Sequence, residues 1–163
     1  MLSYRTDVIR GLFEQAEHVC MPDSALRSAA ASSLRDWWWR EGADDLPRKE
    51  RFDVLDHFNA APDLFLVEVL SHGEFRTRLI GENAKAHVET GRLGAILRWN
   101  DPQSHRQVLW RYYQRVIAER RPMTCTGDVH YAATKSRLYE GLDCPLSADG
   151  IHVTHIIGLL TVF

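Results

Sequence analysis

His152 and His155 come nearest to a metal-binding pair in this chain, and their spacing argues against one. Side chains alternate faces along a strand, so an interval of three sends the two rings to opposite sides. His130 belongs to a different stretch, two strands from His155 in the sheet expected below. At ordinary strand spacing that is about 9–10 Å, too far for one ion to bridge. Cys20, Cys125 and Cys144 are odd in number and widely spaced, so neither a disulfide framework nor a zinc pattern follows. Cys125 and Cys144 sit among apolar neighbours and read as buried structural thiols. Carboxylates are numerous, but none forms a same-element pair suited to acid/base work. A G-x-S-x-G elbow, a phosphate loop, an H-E-x-x-H helix and a dinucleotide fingerprint are all missing from the text. The expectation is a protein with no catalytic residues and no metal. The enzymatic alternative is a small isomerase-like fold with His155 or Asp128 as the base.

Binding chemistry is better represented. Arg76 and Arg78 share the polar face of an alternating stretch, where they can pair with acidic residues or grip an anion. Tyr112, Tyr113 and Val116 fall at helical spacing, and with Phe65 and His155 they are the candidates to line a ligand pocket between a helix and a sheet. Leu34, Trp37 and Trp38 continue one helical stripe, and Leu12 and Phe13 belong to another. Three consecutive tryptophans span about 200° of a helix, so one flank of the cluster meets another surface, the domain's own sheet or a second chain. These five residues are the candidates for a twofold dimer interface.

The elements that position these residues follow from periodicity. Residues 7–20 have one apolar stripe, and Met21-Pro22 stops that helix. Asp23 or Ser24 is expected to cap a second helix running to about Glu41. Residues 42–51 read as a connection and 52–60 as a short helix at best. Residues 64–70 and 75–80 form a hairpin, the second strand alternating apolar residues with Arg76 and Arg78, as an edge strand does. Residues 81–99, broken by Gly91 and Gly94, read as short helices and loops. Asn100-Asp101-Pro102 starts a long helix to about Glu119, closed by Pro122. Three strands then follow at 123–131, 137–146 and 151–163, with Asp149-Gly150 as the last turn. The final stretch is apolar on both alternating faces, from Ile151 to Phe163, which marks a central strand buried on both sides. The expected fold is α+β, a five-stranded antiparallel sheet of order 2-1-5-4-3. Helices cover one face, and an N-terminal helical extension (residues 1–45) covers the other face of the domain formed by residues 46–163.

Composition narrows the partners. A chain of 163 residues with 45% hydrophobic and 26% charged residues is ordinary for one globular domain with an extension. A formal charge of −2 with scattered basic residues offers nothing to nucleic acid. No uncharged apolar run approaches ~18 residues and no signal-peptide core is present, so neither a membrane nor export is expected, and the cytoplasm is the expected location.

Several short motifs, in order, resemble a family of small stand-alone bacterial PAS-like proteins. They are the Trp-rich helix end with Arg40, Leu46-Pro47-Arg48, Asp63-Leu-Phe-Leu-Val67 leading to Phe75-Arg-Thr-Arg-Leu-Ile-Gly81, Tyr112-Tyr113-Gln-Arg-Val116, Arg121-Pro122, and Pro145-Leu-Ser-Ala-Asp149-Gly150. Residues 1–23 lie outside the resemblance, and Glu82-Asn83 departs from it. The resemblance implies sensing, adaptor or regulatory work in bacterial signal transduction, with a homodimer, a signalling protein partner and the option of a small-molecule ligand. PAS domains that carry haem use an axial histidine, for which His87, His105 and His155 are the candidates. Those that sense light through flavin use an Asn-Cys-Arg-Phe stretch, which this sequence lacks. Neither haem nor flavin is supported, and the cofactor is left unknown.

Overall fold

The computed structural model describes residues 26–43, 45–87, 92–132 and 135–163. The first helix among the described residues, α1, spans Ala29–Gly42 and starts later than its sequence signals predict. Ser28 is the cap, its side chain accepting from the Ala31 amide, and the reason lies far away in sequence. The Glu140 carboxylate accepts from the backbone amides of Arg27 at 2.7 Å and Ser28 at 3.0 Å. These are the donors a helix start leaves unpaired, and a buried carboxylate satisfies them. The buried stripe of α1 is Ala31, Leu34, Trp37 and Trp38. Two 3₁₀ segments follow, at Lys49–Arg51 and Val54–Asp63, the second kinked at His57 and carrying Pro62. A proline without an amide hydrogen and a non-helical residue keep this stretch from becoming an α-helix.

Strands β1 (Leu64–Val69) and β2 (Phe75–Ile80) pair through a turn in which His72 and Gly73 both have positive φ. Helix α2 (Glu82–His87) and a two-residue strand, β3 (Ile96–Leu97), come next. Helix α3 spans Ser104–Glu119. Strands β4 (Met123–Ala132), β5 (Lys135–Leu146) and β6 (His155–Val162) complete the chain.

The sheet is antiparallel with order β3-β2-β1-β6-β5-β4, six strands where five were expected. The additional strand pairs Ile96 with Arg76 and Leu97 with Phe75, so β2 is not the edge that its alternation indicates. Two residues are too few to carry a period, which is why β3 is silent in the sequence. β6 is central, paired with β1 on one side and β5 on the other. It is shorter than the stretch predicted from Ile151. The Asp149 carboxylate accepts from the amides of Ile151 and His152 and from the Ser147 hydroxyl, holding 147–152 as a turn. Ile151 is consequently 66% exposed rather than part of the core.

Register decides what each face of the sheet meets. Tyr112 of α3 reaches Asp143, and Phe75 of β2 packs on Tyr113, so Asp143, its β6 partner Gly158, Phe65 and Phe75 share the α3 face. Glu140 holds the start of α1, and Leu142, Cys144, Leu159 and Ile157 alternate with it on the opposite face. Trp38 of α1 donates its indole N–H to the Pro145 carbonyl at 2.7 Å, within the buried layer. The central strand is covered on both sides, as Ile156, Ile157 and Leu159 at 0–1% exposure require. Among the described residues no helix is long and apolar enough to cross a membrane.

Candidate functional site

Under α3 the sheet carries a buried acid. Asp143 lies on β5, across from Met123 on β4 and Gly158 on β6, and is 3% exposed. The Tyr112 hydroxyl donates to its Oδ2 at 2.6 Å, while Oδ1 has no hydrogen-bond partner. Burial pushes the carboxyl up to about 7, against the Tyr112 hydrogen bond, which favours the charged form and holds it down. Tyr113, one residue on, is held well above its usual range, first by burial and then by the charges of Asp143 and Cys125.

The walls of this site come from three elements. Leu109, Tyr112, Tyr113 and Val116 recur at helical spacing and form the buried stripe of α3. Phe75 meets Tyr113 edge-on at 5.1 Å. Phe65 of β1 lays its ring over Gly158, where an added Cβ would lie 2.1 Å from ring carbon Cζ. Gly158 is thus a close-approach glycine, present so that an aromatic ring can occupy the space above the central strand. Cys125 stands over Gly141 in the same way, its Sγ 2.8 Å from where a Cβ would be.

Of the sequence-derived pocket set, Tyr112, Tyr113 and Val116 lie on the buried stripe of α3 and Phe65 on the sheet face that carries Asp143, all four buried. His155 does not join them. It pairs with Leu146 and Glu68, on the α1 face, half-buried with its Nδ1 2.9 Å from the Thr154 hydroxyl. Burial holds its pKa below the ordinary value, Lys49 and Arg78 acting in the same sense and Glu68 against it. The chemistry of the site instead comes from Asp143, which the sequence does not single out. An acidic residue between Leu142 and Cys144 was the available signal, and only pairing with a helix-covered face turns it inward.

Arg76 and Arg78 converge on one oxygen of Glu68 at 3.9 and 3.6 Å, a surface ion-pair cluster rather than an open cation pair. Leu34, Trp37 and Trp38 are 0–5% exposed within the single chain, Trp37 meeting Phe52 and His57 edge-on at 5.5 Å. Trp39 (45%), Leu55 (74%) and Phe58 (75%) are the exposed apolar groups of this region. Leu55 and Phe58 border a cleft between α1 and the second 3₁₀ segment that also contains Ala29, Ser33 and His57. Leu12 and Phe13 lie outside the described residues, as do the side chains of His87, His105, Asp128 and His130. Cys125 and Cys144 are both buried and outside any disulfide, and among the described residues no three His, Cys, Asp or Glu side chains cluster as metal ligands would.

No family model matches the chain, and no curated protein matches it. One matching solved structure is an RNA-binding light-oxygen-voltage receptor, 14% identical with a TM-score of 0.43, over 88% of this chain and 37% of that one. This chain thus spans little more than a third of that receptor's length, and a likeness at this level assigns neither fold family nor function.

Proposed function

We propose that the chain is a PAS-like sensory or regulatory module without catalytic activity, working as a homodimer and through contact with a signalling protein. The observation that carries this reading is the layering. An antiparallel sheet has its last strand at the centre, the segment between its second and fourth strands supplies the helix on one face, and an N-terminal helix covers the other. That arrangement agrees with the family resemblance of the motifs, and the protonatable group it encloses is a buried carboxyl rather than a catalytic constellation. The packing of Phe65 into the space over Gly158 favours an interior filled by the protein's own side chains. Trp39, Leu55 and Phe58 are among the exposed apolar groups of the described residues, and they lie near one another in the chain's N-terminal part, where association is proposed.

Light scattering at working concentration tests the reading. A dimer that Leu55→Glu and Phe58→Glu convert to a folded monomer supports it, and a monomeric parent protein refutes the dimer. The second reading, a small molecule held between α3 and the sheet, rests on the buried polar handle of Asp143 and Tyr112. Native mass spectrometry and a visible spectrum decide between the two, since a co-purifying ligand or chromophore requires the interior to open around it.

A further inference from the structure

Among the described residues under α3, Asp143 is the group whose charge state and packing are in conflict. It is 3% exposed, one oxygen accepts the Tyr112 hydroxyl and the other has no partner. A neutral carboxyl tolerates that environment at the cost of one weak hydrogen bond. An ionised one is a charge buried among largely apolar groups with a single side-chain donor, an environment that disfavours the charged form.

The groups facing it do not relieve this. From α3 come Tyr112 and Tyr113, whose hydroxyl is itself kept neutral by burial and by the Asp143 charge. From β4 come Met123, opposite in register, and Cys125 on the same face. β6 offers Gly158, and β1 the Phe65 ring above it. Cys144 follows on β5 but points to the α1 face, where the charge of Arg35 acts on it. Among the described residues no cation faces the carboxyl, and the two influences on its titration are burial and Tyr112.

We infer that Asp143 is a proton-operated switch: neutral, it lets α3 seat closed over it on the sheet, and ionised, it favours the opening of α3, which admits water to a buried charge that the Tyr112 hydrogen bond alone does not satisfy. This names the signal for the regulatory module proposed above and rests on that reading for its consequence. The sign follows from linkage. A carboxyl whose folded-state pKa is raised holds its proton in the closed state where the opened state has lost it, so closure weakens as pH rises. The opening equilibrium of α3 then grows about tenfold per pH unit from about 4 until the folded carboxyl itself ionises near 7, and levels off above.

Two measurements on the full chain test it. The first is the side-chain carboxyl resonance of Asp143 followed by NMR between pH 4 and 9. The second is amide exchange across α3 over the same range, corrected for intrinsic rates. The expected result is a carboxyl midpoint near neutrality that Tyr112→Phe moves upward, because the lost hydrogen bond favoured the ionised form. Exchange in α3 of the parent protein rises with pH and that of Asp143→Asn stays flat. A carboxyl midpoint near 4, or the same pH dependence of α3 in the parent and in Asp143→Asn, overturns the switch. If Asp143→Asn does not fold, the parent titration and its shift in Tyr112→Phe decide the matter. Oligomeric state at a single pH bears on the regulatory reading alone, so the two failures are distinguishable.

Discussion

Gly158→Ala is the sharpest test of what fills the space beneath α3. The new Cβ would lie 2.1, 2.4 and 2.7 Å from Cζ, Cε2 and Cε1 of Phe65, against the ~3.5–4.0 Å that carbon atoms keep at contact. Phe65 is only 8% exposed, so its ring is enclosed by neighbours and must leave its rotamer or lift from the strand to admit the methyl. An off-rotamer side chain costs about 0.5–1.5 kcal/mol and overpacking of a well-filled core about 1–3, so a loss of about 3 kcal/mol is expected. Set against the ~5–15 kcal/mol of an ordinary domain, the variant should fold and remain measurable. Urea unfolding followed by tryptophan fluorescence gives the value, with an unchanged m confirming that only stability has moved. Phe65→Leu alone should cost roughly 1–2 kcal/mol, a fraction of a full aromatic truncation. The decisive quantity is the double variant. Removing the ring makes room for the methyl, so the two losses should fall short of additivity by about 1–2 kcal/mol. Additive losses, or a Gly158→Ala cost below about 0.5 kcal/mol, would mean that the ring is not seated over the strand and that the interior is open.

Three further outcomes follow from the contacts around the sheet. Global stability of the parent protein should fall as pH rises from about 4 to about 7 and then flatten, by at most about 4 kcal/mol, because the raised Asp143 pKa keeps a proton that the unfolded chain releases. Asp143→Asn removes that slope in the same denaturation series. Trp38→Phe strips the donor from the buried Pro145 carbonyl and leaves a void, a loss of about 2–3 kcal/mol by urea titration. Glu140→Gln leaves the Arg27 and Ser28 amides facing a weaker acceptor, costing about 1–3 kcal/mol and raising amide exchange at those two positions before the rest of α1.

Much of the architecture is legible in the residues themselves. Period-two and period-3.6 patterns place five of the strands and the long helix to within a few residues, because burying one face of an element writes its period into the sequence. The doubly apolar closing stretch marks the central strand for the same reason, and Asp149-Gly150 marks the turn before it. The misses are long-range. The start of α1 moves to Ser28 because Glu140, far along the chain, takes its free amides. β3 exists because two residues find the open edge of β2. Ile151 is exposed because a carboxylate three-way turn ends before the strand begins.

The candidate site divides along the same line. Sequence spacing alone marks Tyr112, Tyr113 and Val116 as one apolar helix face, and these residues and Phe65 are buried in the structure. It could not say which alternating face of a doubly buried strand looks toward which helix, because both faces read alike. Tertiary pairing made that choice. It turned His155 to the α1 side and brought Asp143 beneath Tyr112, so an acidic residue that a local pattern assigns to solvent became the buried, protonatable centre of the fold.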